Sequence, residues 1–133
     1  MRKAIAYCLL VLVLVSGSAF SANAIAPDWE LEETDGNTVR LSAAVEQRPV
    51  VLFFWATWCP YCKKATPSLV TIHTEFYDAI NVIGVNVGIE DEEADIVRYM
   101  SKYDIAFPIV FDQSHEISNA YQVIGTPVIA IVS

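Results

Sequence analysis

The sequence has 133 residues and carries 8 basic and 16 acidic side chains, a formal net charge of −8. A chain of this length has room for a single domain with one hydrophobic core. Its excess of negative charge argues against nucleic acid and anionic lipid as partners, because both are negatively charged themselves.

The first 24 residues have the layout of a secretory signal peptide. Met1-Arg2-Lys3 is a basic start, Ala4 to Val15 is an apolar run, and Ala22-Asn23-Ala24 is an exit of small residues. Cleavage there would leave residues 25–133 as an exported, periplasmic or otherwise extracytoplasmic domain. The alternative is an uncleaved membrane anchor over residues 4–20, although small residues interrupt that run short of the roughly 20 that a span needs.

The first half of the domain contains a predicted hairpin and a predicted central strand. Residues 29–32 and 38–41 alternate in polarity around Asp35-Gly36-Asn37, which predicts two strands joined by a turn at Asp-Gly. Ser42 is a candidate cap for a short helix that extends to Gln47. The continuous apolar run from Val50 to Trp55 is typical of a strand buried on both faces of a sheet.

A long helix is predicted to follow from Pro60, because proline favours the first turn of a helix. Pro67 lies inside it and predicts a kink. Four apolar residues at helical spacing form its expected inner face: Leu69, Ile72, Phe76 and Ile80. A second buried strand is predicted from Asn81 to Val87.

The remaining elements alternate between helix and strand. Glu90 to Glu93 place acids where a helix dipole favours them, and an apolar stripe follows at Ile96, Met100 and Tyr103. Residues 107–111 and 128–132 are predicted strands, and residues 115–121 are a predicted short helix. This order of elements predicts an α/β architecture around a mixed sheet.

Two cysteines remain once the N-terminal segment, with Cys8, is set aside. Cys59 and Cys62 are too close in sequence for their disulfide to constrain the unfolded chain much, so the pair is predicted to be chemical rather than structural. Cys59 stands at the start of the long helix, where free N–H groups and the dipole stabilise a thiolate. It is therefore the predicted nucleophile, and the more buried Cys62 is predicted to resolve the mixed disulfide.

The segment Phe54-Trp55-Ala56-Thr57-Trp58-Cys59-Pro60-Tyr61-Cys62-Lys63-Lys64, with Pro67 downstream, resembles the thioredoxin superfamily. Its exported thiol-disulfide oxidoreductases of the TlpA/ResA, cytochrome c maturation type are the most similar branch, and the resemblance extends over residues 27 to 132. It implies a thioredoxin fold, with a mixed central sheet flanked by helices and an N-terminal β-hairpin. Members of the family continue with another strand and a helix, so the domain over residues 25–133 is expected to be incomplete at its C-terminal end.

The resemblance also implies a set of substrate-binding residues. Gly125-Thr126-Pro127 matches the family segment in which the proline is cis and packs beside the cysteines. The main chain of Thr126 would then pair with an extended substrate segment. Trp58, Pro60 and Tyr61 complete the expected contact set with Thr126 and Pro127, while Trp55 is expected in the core.

Two positions depart from the family pattern. Thioredoxins bury an acid six residues before the nucleophile, where this chain has Phe53, and many cytochrome-maturation relatives carry a Glu where this chain has Ala65. With no carboxylate at either position, the proton of Cys62 is expected to leave by water or by another group.

The expected function is dithiol-disulfide exchange with protein substrates, with apocytochrome c as one candidate and a membrane thiol-disulfide carrier as electron donor. The reducing direction rests on the resemblance, and a disulfide oxidase or isomerase is the alternative. No cofactor beyond the redox-active disulfide and no metal is expected, since the sequence has no Gly-rich phosphate loop and no Cys-His haem attachment pair. A Cu(I)-binding chaperone is a further alternative that would use His115; His73 and His115 are otherwise predicted to be structural.

Overall fold

The structure, a computed structural model, describes residues 25–133, so the predicted signal peptide over residues 1–24 lies outside the described residues. The described part contains β1 (Glu30–Glu32), β2 (Thr38–Arg40), α1 (Leu41–Gln47), β3 (Val50–Trp55), α2 (Pro60–Glu75), β4 (Asn81–Asn86), α3 (Glu93–Lys102), β5 (Ile109–Phe111), α4 (Glu116–Ala120) and β6 (Val128–Val132). Among these helices, none combines the length and the apolarity that crossing a membrane requires.

Four strands form the central sheet in the order β5-β4-β3-β6. β3 and β4 are parallel, β4 and β5 are parallel, and β6 runs antiparallel to β3, so the sheet is mixed as predicted. All six residues of β3 are buried. The ring centres of Phe54 and Tyr121 are 5.3 Å apart, and those of Trp55 and Tyr99 of α3 are 4.6 Å apart. Since neighbouring residues of a strand face opposite sides, the sheet is covered on both faces at its centre.

β1 and β2 form the predicted antiparallel hairpin. The side chain of Asp35 accepts a hydrogen bond from the backbone N–H of Asn37 at 3.1 Å, and Gly36 adopts a left-handed φ of +91°. These features fix the turn at Asp-Gly, as the sequence indicates. The hairpin packs beside β5, where the N–H of Thr34 donates to the carbonyl of Ile109 at 3.2 Å.

The predicted inner face of α2 is wrong at Phe76 and Ile80, which both lie beyond the end of the helix. The helix ends at Glu75, and Phe76 is the C-cap residue, with half of its surface exposed. Leu69 is buried as predicted, and Cys62 and Thr66 complete the buried face. The helix continues without a break through Pro67. Apolar spacing missed this face because two of its members, a cysteine and a threonine, do not stand out as hydrophobic.

Other boundaries also differ from the prediction. α1 begins at Leu41 and has no side-chain cap from Ser42; instead, the carboxylate of Asp28 accepts from the N–H of Ser42 at 2.9 Å. The strand predicted from Phe107 begins at Ile109, since Pro108 has no N–H for the ladder. The last helix is shorter than predicted, at Glu116–Ala120.

β6 lies at an edge of the sheet. Its residues alternate, so that Val128, Ala130 and Val132 pack against the core whereas Ile129 and Ile131 are 53% and 74% exposed. The sheet is therefore open at this edge on the face that carries the two isoleucines.

Gly84 of β4 leaves space that core side chains fill. A Cβ atom at this position would collide with the side chain of Ile109, and would lie 3.1 Å from Nε1 of Trp55 and 3.3 Å from Cε2 of Phe107. Gly84→Ala is expected to lower the free energy of unfolding by about 1–3 kcal/mol, because the packed core must shift to admit the methyl group. Gly125→Ala is the control, since a Cβ there meets nothing within 4 Å. Urea unfolding of both variants checks this, and equal losses would contradict it.

Candidate active site

The two cysteines lie at the start of α2 and are bonded to each other. Cys59 is the N-cap residue of the helix, and the Cα atoms of Cys59 and Cys62 are 5.2 Å apart across the disulfide. The N–H of Cys62 donates to Sγ of Cys59 at 3.1 Å. Both residues are buried, at 2% and 0% exposure, so the two differ little in accessibility. A helix N–H directed at this sulfur would stabilise its thiolate after reduction.

Exposed residues surround this buried pair. Trp58 is 46% exposed and donates its Nε1 hydrogen to the carbonyl of Ile89 at 2.8 Å. Tyr61 is 68% exposed, and the ammonium of Lys64 lies 5.4 Å from its ring centre. Pro60 is exposed at the first position of α2. The disulfide is therefore set among surfaces that a partner can reach.

A cavity of about 350 Å³ adjoins Trp58. Its lining includes Trp58, Ile89, His115, Val123, Ile124 and Thr126. The Thr126–Pro127 peptide bond is cis, and both residues are half-buried just before β6. Of the predicted contact residues, the structure thus brings Trp58 and Thr126 to one cavity, whereas Pro60, Tyr61 and Pro127 do not line it.

The positions that depart from the family pattern hold apolar side chains in the structure. Phe53 is 1% exposed and stacks on Trp55 with 6.3 Å between ring centres, while Ala65 is half-buried in α2. A buried carboxylate nevertheless reaches the loop before Cys59 from another element. Asp91, 8% exposed, accepts from the N–H of Thr57 at 2.8 Å.

In the sequence, Asp91 stands among the acids of a predicted helix start, and no local pattern marks it as a site residue. Helix α3 begins at Glu93 and is capped by Glu92, so Asp91 precedes the helix. The overlooked signal is topological. Parallel strands end at the same edge of a sheet, and residues that follow β4 must therefore lie near residues that follow β3.

A pair of buried hydroxyl groups lies one helical turn beyond Cys62. Oγ1 of Thr66 donates to the carbonyl oxygen of Cys62 at 2.8 Å and lies 2.9 Å from the hydroxyl oxygen of Tyr99. Burial raises the pKa of Tyr99, which is therefore a neutral hydrogen-bond donor at physiological pH. No pattern in the sequence marks either residue, because only the fold brings α3 against this turn of α2.

The two histidines occupy different surroundings. Nδ1 of His115 lies 2.8 Å from the carbonyl oxygen of Val87, and this residue also lines the cavity beside Trp58. The ring of His73 meets the ring of Phe107 edge-on at 5.9 Å. Within residues 25–133, no three or more His, Cys, Asp or Glu side chains are grouped so that they could hold a metal ion.

His73 is expected to make stability depend on pH. Burial lowers its pKa from the ordinary value of 6.5, so the unfolded chain binds this proton more readily than the folded protein. Stability from this group is complete above pH 6.5 and is lost as the pH falls below that value. The difference in unfolding free energy between wild type and His73→Gln should therefore shrink between pH 8 and pH 5 in urea titrations. A constant difference would contradict this assignment.

Comparison with known proteins places the chain in a family. A family model described as the AhpC/TSA family matches residues 22–132. A "Thioredoxin-like protein" of Haemophilus influenzae is 29% identical over 100% of this chain and 80% of its own length. "Thiol-disulfide oxidoreductase ResA" of Bacillus subtilis is also 29% identical, over 98% of this chain and 72% of its own length.

Solved structures share the fold. The crystal structure of a putative thiol:disulfide interchange protein DsbE from Chlorobium tepidum matches 80% of this chain and 74% of its own, with a TM-score of 0.72 and 26% identity. The thioredoxin domain of a thiol-disulfide oxidoreductase from Bacteroides vulgatus gives a TM-score of 0.73 and 25% identity over 82% and 79% of the two chains. The predicted thioredoxin fold is thereby confirmed, and the chain belongs to the AhpC/TSA family.

Proposed function

We propose that this protein is a thiol-disulfide oxidoreductase that exchanges the Cys59–Cys62 dithiol and disulfide with protein substrates. One observation carries the proposal: the pair forms a disulfide at the first turn of α2, where the N–H of Cys62 points at Sγ of Cys59. That geometry favours a thiolate at Cys59, the species that attacks disulfides. Relatives that are named thiol-disulfide oxidoreductases support the same activity.

The reaction in the reducing direction takes two exchange steps. The Cys59 thiolate attacks one sulfur of a substrate disulfide, which forms a mixed disulfide and releases the other substrate sulfur as a thiolate. Cys62 then loses its proton and attacks Sγ of Cys59, which releases the second substrate thiolate. Two electrons pass from the cysteine pair to the substrate, and the enzyme ends as the disulfide seen in the structure.

The surroundings of the pair fit recognition of an extended polypeptide. Trp58 and Tyr61 offer exposed aromatic surface on the two sides of the nucleophile in sequence, and the cavity beside Trp58 is large enough to admit a side chain. In this proposal the main chain of Thr126 pairs with the substrate segment, and Pro127 turns the chain into β6. Pro60 fixes the first turn of α2.

The compartment, the direction and the partners are also proposed. The signal-peptide layout of residues 1–24 supports a domain that works outside the cytoplasm, where electrons would come from a membrane thiol-disulfide carrier. The proposed direction is reduction of protein disulfides, with apocytochrome c as a candidate substrate. An oxidase or isomerase would use the same two cysteines at a more oxidising potential.

Serine variants test the roles of the cysteines. Cys59→Ser is expected to abolish reduction of a protein disulfide such as that of insulin, whereas Cys62→Ser is expected to accumulate the mixed disulfide, because its resolving thiolate is gone. Mass spectrometry detects the trapped complex. Cys8→Ser is the control and should keep the wild-type rate. Activity in Cys59→Ser would overturn the assignment of the nucleophile.

The reduction potential of the pair tests the direction. Equilibration of the protein against dithiothreitol or glutathione buffers is expected to give a value near or below about −250 mV, as in reducing members of the fold. A value of about −120 to −180 mV would instead assign the protein to the oxidases or isomerases.

A further inference from the structure

The turn that precedes Cys59 is hydrogen-bonded to the segment after β4. The N–H of Cys59 donates to the carbonyl of Ala56 at 3.3 Å, so Thr57 and Trp58 are the two central residues of this turn. Thr57 bonds to Asp91, and Trp58 bonds to the carbonyl of Ile89. Both central residues are thus fixed by the same neighbouring segment.

Asp91 accepts two hydrogen bonds from this turn, whereas Ile89 accepts one. Its Oδ2 accepts from the N–H of Thr57 at 2.8 Å and from Nδ2 of Asn86 at 2.7 Å, and its Oδ1 accepts from Oγ1 of Thr57. Asn86 is fully buried and Asp91 is 8% exposed. A carboxylate satisfies all three donors, whereas an amide in its place would set one N–H group against another.

The segment that carries Asp91 is itself fixed by close contacts at Gly88. Gly88 has a φ of +72°, and a Cβ atom there would lie 2.5 Å from the carbonyl oxygen of Asp112. The N–H of Gly88 donates to Oδ1 of Asn86 at 2.9 Å. The side-chain amide of Asn86 therefore makes two contacts with this segment. Its oxygen accepts from Gly88, and its nitrogen donates to Asp91.

We propose that Asp91 is a positioning residue for the nucleophile, whose buried carboxylate locks the Ala56–Cys59 turn and shifts the dithiol-disulfide equilibrium of the pair toward the disulfide. This inference rests on the proposed function. The chain from Thr57 to Cys59 spans at most about 7 Å. Oδ2 of Asp91 lies 2.8 Å from the nitrogen of Thr57, so its charge stands on the order of 10 Å from Cys59, close enough in this buried turn to oppose a thiolate there. Because the thiolate belongs to the reduced form, a nearby negative charge makes the dithiol a stronger reductant.

Asp91→Asn is the direct test. It is expected to lower the pKa of the Cys59 thiol and to shift the equilibrium constant with glutathione toward the dithiol by at least about threefold, the size expected from removing one nearby charge. The full chain is used, the pKa is followed by thiolate absorbance, and the equilibrium by alkylation of free thiols. An unchanged pKa and an unchanged equilibrium would overturn the proposal even if the variant were less stable.

Two control variants separate positioning from general effects. Glu93→Gln removes the same charge from an exposed residue in the first turn of α3. Asp112→Asn removes a second buried carboxylate, one that accepts from the N–H and the hydroxyl of Ser118, both at 2.7 Å, and has no hydrogen bond to the turn. Neither control is expected to move the equilibrium constant by as much as Asp91→Asn. A shift of equal size in either control would also overturn the proposal.

Thr57 provides a second route if Asp91→Asn does not fold. Thr57→Val removes only the hydroxyl that donates to Oδ1 of Asp91, and Thr57→Ser retains it. The valine variant is expected to slow substrate reduction and to change the equilibrium constant, and the serine variant is expected to restore both. Identical behaviour of the two variants would overturn the proposal. Failure of the wild-type pair to exchange with glutathione at all would instead refute the proposed function.

Discussion

The parallel pairing of β3 with β4 is the interaction on which the rest of the structure depends. The two strands are in register from Val50 opposite Asn81 to Trp55 opposite Asn86, so they end together at one edge of the sheet. The turn with Cys59 follows one strand, and the segment with Asp91 follows the other. The burial of β3 on both faces fixes where that edge lies, because moving the strand would expose core aromatic side chains.

The site combines requirements that oppose each other. The two cysteines are nearly inaccessible in the disulfide, whereas the proposed function requires a substrate to reach Cys59. In that proposal, recognition falls to the exposed surfaces of Trp58 and Tyr61. The first turn of α2 favours a thiolate through its N–H groups, whereas the nearby charge of Asp91 disfavours one. The balance of these two effects, rather than either alone, sets how strongly the dithiol reduces a substrate.

The sequence predicts the elements well where one local pattern decides them. The apolar run of β3, the Asp-Gly turn of the hairpin and the proline at the start of α2 each act through nearby residues, and the structure agrees. The errors arise where distant residues decide. Ser42 does not cap α1, because the carboxylate of Asp28 occupies that role from outside the helix. Asp91 resembled a helix-start acid, since only the strand pairing shows that it faces Thr57.

With Phe53 in the core, the buried carboxylate at this site comes from a neighbouring segment. Phe53 fills the core beneath the turn and stacks on Trp55, which in turn packs against Tyr99. An acid in its place would be buried among aromatic rings, with a large desolvation cost. A carboxylate on the segment after β4 does meet donors, because Thr57 of the turn offers an N–H and a hydroxyl and Asn86 offers its amide. The fold therefore admits a buried negative charge beside the turn while keeping the core beneath it apolar.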